Sequence, residues 1–347
     1  MAGVITVDGS YGEGGGQILR IAVALSALRA APVVVTNIRA GRRNPGLAAQ
    51  HVTALEAVAS LSGGEVDGLE IGSKEIAFRP GETRGGRRAF EVGTAGSVTL
   101  VLQACLPVAF SAPAPVRLRL TGGTDVRWSP PLDYFARVFL PILRRMGLHA
   151  DVELLRRGYY PRGGGVVEVS VEPAARWSPI QADGSRAARA IRGIAHVSNL
   201  PADIPKRMKH AALRRLHGFG DVKIEERVYA GDQAIGQGGA LVLWAETEQG
   251  VLGSSSLAER AKPSERIGEE AARELRADIE AGVSFDIHAA DQVLVYLAHA
   301  TGPSAFTVRE VSGHLTTMIW LLDRFGAADV TVARDGTRYR ISVVPKL

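Results

Sequence analysis

Three short stretches carry side chains that could do chemistry together: DGSYGEGGGQILR at 8–20, IRAGRRNPGLAAQH at 38–51, and VSGHLTTMIW at 311–320. The third places His314 where a Ser-Gly pair runs into a helix-like apolar pattern. An imidazole at such a junction can present a ring nitrogen to a phosphate. As a nucleophile it must be neutral at one nitrogen, with the other N–H held by an acceptor. A helix N-terminus depresses the imidazole pKa and favours that neutral form. The first two stretches supply a glycine turn, one carboxylate, four arginines and a glutamine. That set can hold a polyphosphate beside a nucleophile.

Each residue has a chemical and a plain structural reading. Gly12 and Gly14–Gly16 permit close backbone approach, and the helix after them offers free N–H groups to an anion. Arg20, one turn in, can reach a phosphate. Glu13 beside a phosphate cradle is unfavourable unless a cation intervenes, which makes Mg²⁺ its natural partner; otherwise it is a solvated glutamate. Arg39, Arg42 and Arg43 repel one another in a loop without an anion. Gln50 and His51 are read a turn and a half into a helix opened by Pro45, His51 as a half-buried side chain. The GTAGS turn is followed by Gln103, whose amide can read an adenine edge or a ribose hydroxyl. Trp128, Pro130 and Tyr134 offer flat surfaces to a base, or ordinary packing. Asp291 can cap a helix or orient a histidine, and His288 is read on a neighbouring face.

The elements that must position these residues recur. A glycine turn, a helix, the strand VVVTNI and a second helix lead to closing strands near Leu69–Ile71 and Glu75–Phe78. The order helix–strand–helix–strand–strand returns after GTAGS and again from HAADQVLVYLAHATG onward, which predicts three repeats with helices packed inward. Residues 183–281 interrupt the third copy with a β–α–β–β–α pattern that includes a basic helix, KRMKHAALRRL, and the flank ADGSRAAR has linker composition. The division expected is a body of 1–182 plus 282–347 and an inserted 183–281 unit.

The 347 residues, 46% hydrophobic and 22% charged, suit a globular α/β (α+β) protein with ample core. Cys105, the single cysteine, excludes an internal disulfide and reads as inert packing. No apolar run reaches the roughly 18–20 residues of a membrane helix, and the start VITVDG looks like a strand rather than a signal peptide, so a cytoplasmic location is expected. The net charge of +5 is compatible with nucleic acid without demanding it.

The segments GEGGGQILR, IRAGR, PGLAAQH, FRPG, GSVTLVLQ, TGGTD, YPRGGG, ADQ and GHLTT, in this order along the chain, resemble RNA 3′-terminal phosphate cyclases. The resemblance implies three repeats of a two-helix, four-stranded-sheet unit plus a thioredoxin-like insert. It implies attack of a histidine, here His314, on the α-phosphorus of ATP, transfer of AMP to an RNA 3′-phosphate, and closure to a 2′,3′-cyclic phosphate. It assigns Glu13 to the metal, Mg²⁺ or Mn²⁺. It assigns Arg20, Arg39, Arg42 and Gln50 to phosphates, and Gln103, Pro130 and Asp291 to the nucleotide. His288 stands where relatives often carry a tyrosine that stacks on adenine, and Met318 where they often carry asparagine. The implied partners are ATP and RNA with a 3′-phosphate end, with no membrane; a homodimer is compatible. Two other classes compete: a non-catalytic ribosome-biogenesis relative, which lacks the histidine, and an enolpyruvyl transferase, which needs six repeats.

Overall fold

The computed structural model describes residues 3–184 and 187–346. Four short strands form the first sheet: β1 (Ile5–Asp8), β2 (Val33–Thr36), β3 (Glu65–Asp67) and β4 (Ile76–Arg79). Their order is β1-β2-β4-β3; the first pair is parallel and the other two pairs are antiparallel. Helices α1 (Gly16–Arg29) and α2 (Ala49–Ser62) connect them. The strand expected at Leu69–Ile71 is a turn instead. Positive φ at Gly68 and Gly72 breaks the extended backbone there, and β3 lies earlier.

The next sheet holds β5 (Gly86–Glu91), β6 (Val116–Gly122), β7 (Ala150–Gly158) and β8 (Gly165–Val171). It has the same order and pairing senses, β5-β6-β8-β7. Helix α3 (Val98–Phe110) follows β5, and α4 (Leu132–Tyr134) continues through a π-helical stretch at Phe135–Phe139 into α5 (Leu140–Arg145). Every residue of α3 is buried, as its uncharged sequence requires. Burial pushes the Cys105 thiol on this helix up to about 12, so it is packing.

Residues 188–281 build a separate sheet with its own apolar cluster. It contains β9 (Ala188–Ser198), β10 (Val222–Tyr229), β12 (Gly238–Thr247) and β13 (Gly250–Leu257) in the order β10-β9-β12-β13; the two-residue β11 (Ala234–Ile235) pairs instead with β7. Helices α6 (Asp203–Arg215) and α7 (Ser264–Ala281) pack on this sheet and on each other. The fourth strand, β13, was not expected. Its GVLGSSSL sequence has weak strand propensity, and its pairing with β12 sets it. Ser185 and Arg186 of the expected linker lie outside the described residues.

The last sheet is β14 (Ser304–Val308), β15 (Ala328–Asp335) and β16 (Arg338–Pro345), ordered β14-β16-β15. An isolated parallel bridge from Gln181 to Ala305 lies beside β14, where β1 and β5 lie in the other two sheets. Helices α8 (Ile287–Leu297) and α9 (Gly313–Arg324) belong to this part. Helices α1, α2, α3, α8 and α9 pack among themselves in one large core cluster. Among the described residues no helix is long and apolar enough to cross a membrane.

Candidate active site

His314 is the second residue of α9. Ser312 caps that helix, its Oγ accepting from the Leu315 N–H at 3.0 Å. Leu315, Met318, Leu321 and Leu322 bury one face of α9 and fix the helix, leaving the half-exposed imidazole at its N-terminus.

The glycine turn is clamped against this helix. Tyr11 stacks on Trp320 with ring centroids 3.9 Å apart. Gly12 has φ +58°, and a Cβ there would fall 2.4 Å from Thr317 Oγ1. A Cβ on Gly313 would fall 2.5 Å from a Glu13 carboxylate oxygen. Both glycines therefore let Glu13 reach the histidine: Glu13 Oε2 lies 3.2 Å from His314 Nε2.

The other ring nitrogen faces Gln17. His314 Nδ1 lies 3.0 Å from Gln17 Oε1, and Gln17 Nε2 donates to Asp291 Oδ2 at 2.8 Å. Both ring nitrogens face an oxygen that accepts, so the Gln17 contact suits a proton on Nδ1 and the Glu13 contact suits a proton or a cation at Nε2. Burial lowers the His314 pKa; Glu13 opposes this, while Arg20, His288 and Arg42 reinforce it. Burial raises the Asp291 carboxyl to about 7, Gln17 and Arg20 working against it.

Arg20 is buried in α1. Burial lowers its guanidinium to about 10, Asp291 opposing. Its Nη2 donates weakly to Gln103 Oε1 at 3.4 Å, and its Nε has no hydrogen-bond partner. A buried, incompletely paired cation is costly, and this one faces a cavity that an anion can enter. That cavity, of about 640 Å³, is lined by Gln17, Arg20, Gln103, Trp128, Pro130, Tyr134, His288, Asp291, Gln292 and His314 among others.

Not all expected residues line it. Arg42 is exposed and donates to the Glu13 carbonyl at 2.9 Å, which ties the arginine loop to the glycine turn. Arg39, with φ +53°, donates to the Gly46 carbonyl at 2.7 Å. Gln50 Oε1 accepts from the Ser97 N–H at 3.0 Å and joins α2 to the GTAGS turn.

Three local expectations are corrected. Helix α2 begins at Ala49, because residues 37–47 are held as a loop by hydrogen bonds to Ser73 and Lys74, so Gln50 and His51 sit in its first turn. His51 is buried rather than half-buried, and its Nδ1 accepts from the Ala48 N–H at 3.0 Å. Burial, with Arg20 and Arg39, lowers its pKa to about 3. The cap of α8 is Asp286, which accepts from the His288 and Ala289 N–H groups; Asp291 lies in the second turn and shares the cavity wall with His288.

Residues 255–262 add Ser255, Ser256, Leu257, Glu259 and Lys262 to the lining. The 183–281 segment therefore contributes to the lining of the cavity. The segment is joined to the rest by a buried polar cluster. Arg157 of β7, fully buried, donates to Asp125 Oδ2 at 2.9 Å and Asp133 Oδ2 at 2.6 Å. His196 Nε2 of β9 lies 3.6 and 3.5 Å from those two carboxylates, and its Nδ1 lies 3.1 Å from Tyr159 Oη. Asp125, Asp133 and His196 have metal-ligand types within 4.8 Å of one another, but Arg157 already neutralises the carboxylates. Burial raises the Asp125 carboxyl, yet Arg157 and His196 outweigh it and hold it well below the usual range.

The basic helix α6 is largely neutralised: Arg207 pairs with Glu265, Lys209 with Glu226 and Arg215 with Glu269. Gln17 and Arg157 were missed at the sequence level. Gln17 stands within the segment singled out, but its partners lie at the other end of the chain.

Fold and site define a mixed α/β protein with a glycine turn and a helix-terminal histidine at the edge of one deep cavity. The chain belongs to the RNA 3′-terminal phosphate cyclase family, whose pattern matches residues 11–332. Proteins named RNA 3′-terminal phosphate cyclase are similar over nearly the full length. That of Nitrosospira multiformis is 51% identical, with 98% of this chain and 96% of the relative covered. Those of Methanopyrus kandleri and Pyrococcus furiosus are 44% and 43% identical, covering 99% and 93% of both chains respectively.

Proposed function

We propose that this protein converts an RNA 3′-terminal phosphate to a 2′,3′-cyclic phosphate at the expense of ATP, through a covalent histidyl-AMP on His314. The observation that carries this reading is the Gln17 contact. A proton on Nδ1, donated to Gln17 Oε1 at 3.0 Å, leaves the lone pair of the neutral ring on Nε2, the nitrogen beside Glu13. In the first step Nε2 bonds to the α-phosphorus of ATP, the α–β anhydride breaks, and pyrophosphate leaves. In the second an RNA 3′-phosphate oxygen bonds to that phosphorus and the N–P bond breaks. In the third the 2′-oxygen attacks the 3′-phosphorus, gives up its proton, and AMP leaves.

The residues divide the work. Arg20 from inside and Arg39 and Arg42 from the loop neutralise phosphate oxygens. Gln50 keeps its NH₂ donors for a phosphate after its oxygen is taken by Ser97. Gln103, Pro130, His288 and Asp291 surround the nucleoside, with histidine supplying a smaller stacking face than the tyrosine often found there in relatives. A divalent cation fits at Glu13. A carboxylate oxygen 3.2 Å from an unprotonated imidazole nitrogen is repulsive without a positive charge, and a hard carboxylate suits Mg²⁺ or Mn²⁺. When bound, the cation supplies charge neutralisation for the triphosphate.

The recurring strand order supports reading residues 1–182 and 282–347 as three repeats, and 183–281 as a thioredoxin-like insert. The test is incubation with α-labelled ATP and Mg²⁺ without RNA. Label should stay on the protein through an acid-labile, alkali-stable bond; absence of label would overturn the reading.

A further inference from the structure

Trp128 stands at the mouth of the cavity with 92% of its surface exposed and a backbone φ of +60°. Both facts are unfavourable for the isolated protein: a large apolar ring lies in water, and a non-glycine residue occupies the left-handed region. The loop does not let it relax, because its neighbours are fixed on both sides. Asp125 is held by buried Arg157 at 2.9 Å. Ser129 Oγ donates to the Val126 carbonyl at 2.8 Å, and Thr99 Oγ1 to the Pro130 carbonyl at 2.8 Å. Arg127 pairs with Glu259 across the cavity wall. Pro130 and Pro131 then restrict the backbone further. The result is a constrained loop that leaves a flat ring exposed two residues from Pro130, with none of the described residues covering it.

We propose that Trp128 is a stacking platform for a nucleobase at the cavity mouth, the base belonging to the RNA strand as it enters. This rests on reading the cavity as a nucleotide site. Stacking on an exposed aromatic face is the usual means of holding a single-stranded base without reading its sequence. On that reading the ATP adenine sits inside the cavity, among Gln103, Pro130, His288 and Asp291. A ring at the rim serves the part of a ligand that remains outside, which for a polymer is its next base.

The test compares wild type, Trp128→Ala and Trp128→Phe by equilibrium binding of an RNA oligonucleotide ending in a 3′-phosphate and, separately, of ATP. Trp128→Ala should weaken RNA binding roughly 5- to 150-fold, and Trp128→Phe should recover most of it. Oligonucleotides with an abasic terminal or penultimate position should bind wild type and Trp128→Ala alike at the position that stacks. A loss confined to ATP would assign the platform to adenine. Both affinities within twofold of wild type, with unfolding temperature unchanged, would overturn the proposal. Binding is read without turnover, so a wild type that takes no label from ATP defeats the cyclase reading and leaves this one measurable. The ring is solvent-exposed, so neither variant threatens folding.

Discussion

Gln17 Oε1 lies 3.0 Å from His314 Nδ1 while the same amide donates to Asp291 at 2.8 Å. One side chain thus orients a histidine that lies almost the whole chain away. Replacing Gln17 by Ala should slow self-adenylylation roughly 10- to 100-fold, the usual cost of losing an orienting partner, with little change in the KM for ATP. A rise in KM with an unchanged maximal rate would mean that Gln17 binds the nucleotide rather than orienting the ring.

His314 is expected to carry the label. His314→Ala and His314→Asn should abolish labelling while leaving the unfolding temperature near that of wild type, because the ring is half-exposed. A fully labelled, folded His314→Ala protein would remove the histidine from the mechanism.

The rate should depend on pH through the same ring. Burial lowers the His314 pKa and Glu13 raises it, so the neutral form persists below the ordinary histidine value of about 6.5. Self-adenylylation should be level above that value and fall only as pH drops through a lower midpoint. Glu13→Gln removes the raising charge, so its acid limb should move to still lower pH even as loss of the metal ligand lowers the plateau. An acid limb that moved upward in this variant would contradict the assigned pairing.

Arg20, Arg39 and Arg42 differ in setting, and their variants should differ too. A charge-assisted phosphate contact contributes about 1.5–3 kcal/mol, so each Ala change should slow the first step by roughly ten- to a hundredfold. Lysine should restore only part, lacking the planar fork. Arg20→Ala should show the additional effect of leaving Asp291 buried without its nearby cation. Equal losses from all three, rescued fully by Lys, would mean that only net charge matters.

What the sequence revealed follows from the range of each interaction. His314 was legible because its cap, Ser312, and its apolar face are local to α9. The cap of α8 was misassigned because two aspartates precede the same apolar run, and only the Asp286 hydrogen bonds to the next N–H groups distinguish them. Strand β5 escaped notice since its outer position leaves it half polar and only partly buried. Gln17 and Arg157 act through partners that only the tertiary fold brings near; a lone amide or arginine carries no local pattern for that.

The Arg157 cluster bears on whether residues 183–281 can be removed. Arg157 is fully buried between Asp125 and Asp133, and His196 closes the cluster from β9. Arg157→Met would leave two carboxylates buried without their cation, at a cost of about 3–5 kcal/mol. In wild type the depressed Asp125 pKa contributes stability that is present above the unfolded carboxylate value and lost as pH falls below it. In the variant burial, the largest influence, is opposed only by the weaker His196 and Thr124 contacts, so the folded state should favour the protonated acid and stability should instead rise as pH falls from 8 towards 4. The Asp125→Asn/Asp133→Asn/Arg157→Met triple variant should lose that rise and recover part of the stability. Unfolding temperatures across pH check the sign. If the Arg157→Met slope matched wild type, the carboxylates would have found another partner and the joint would be weaker than its geometry indicates. If the opposite slopes are found, the segment is part of the cavity's support. Deleting 183–281 should then abolish ATP binding along with the Ser255–Lys262 wall.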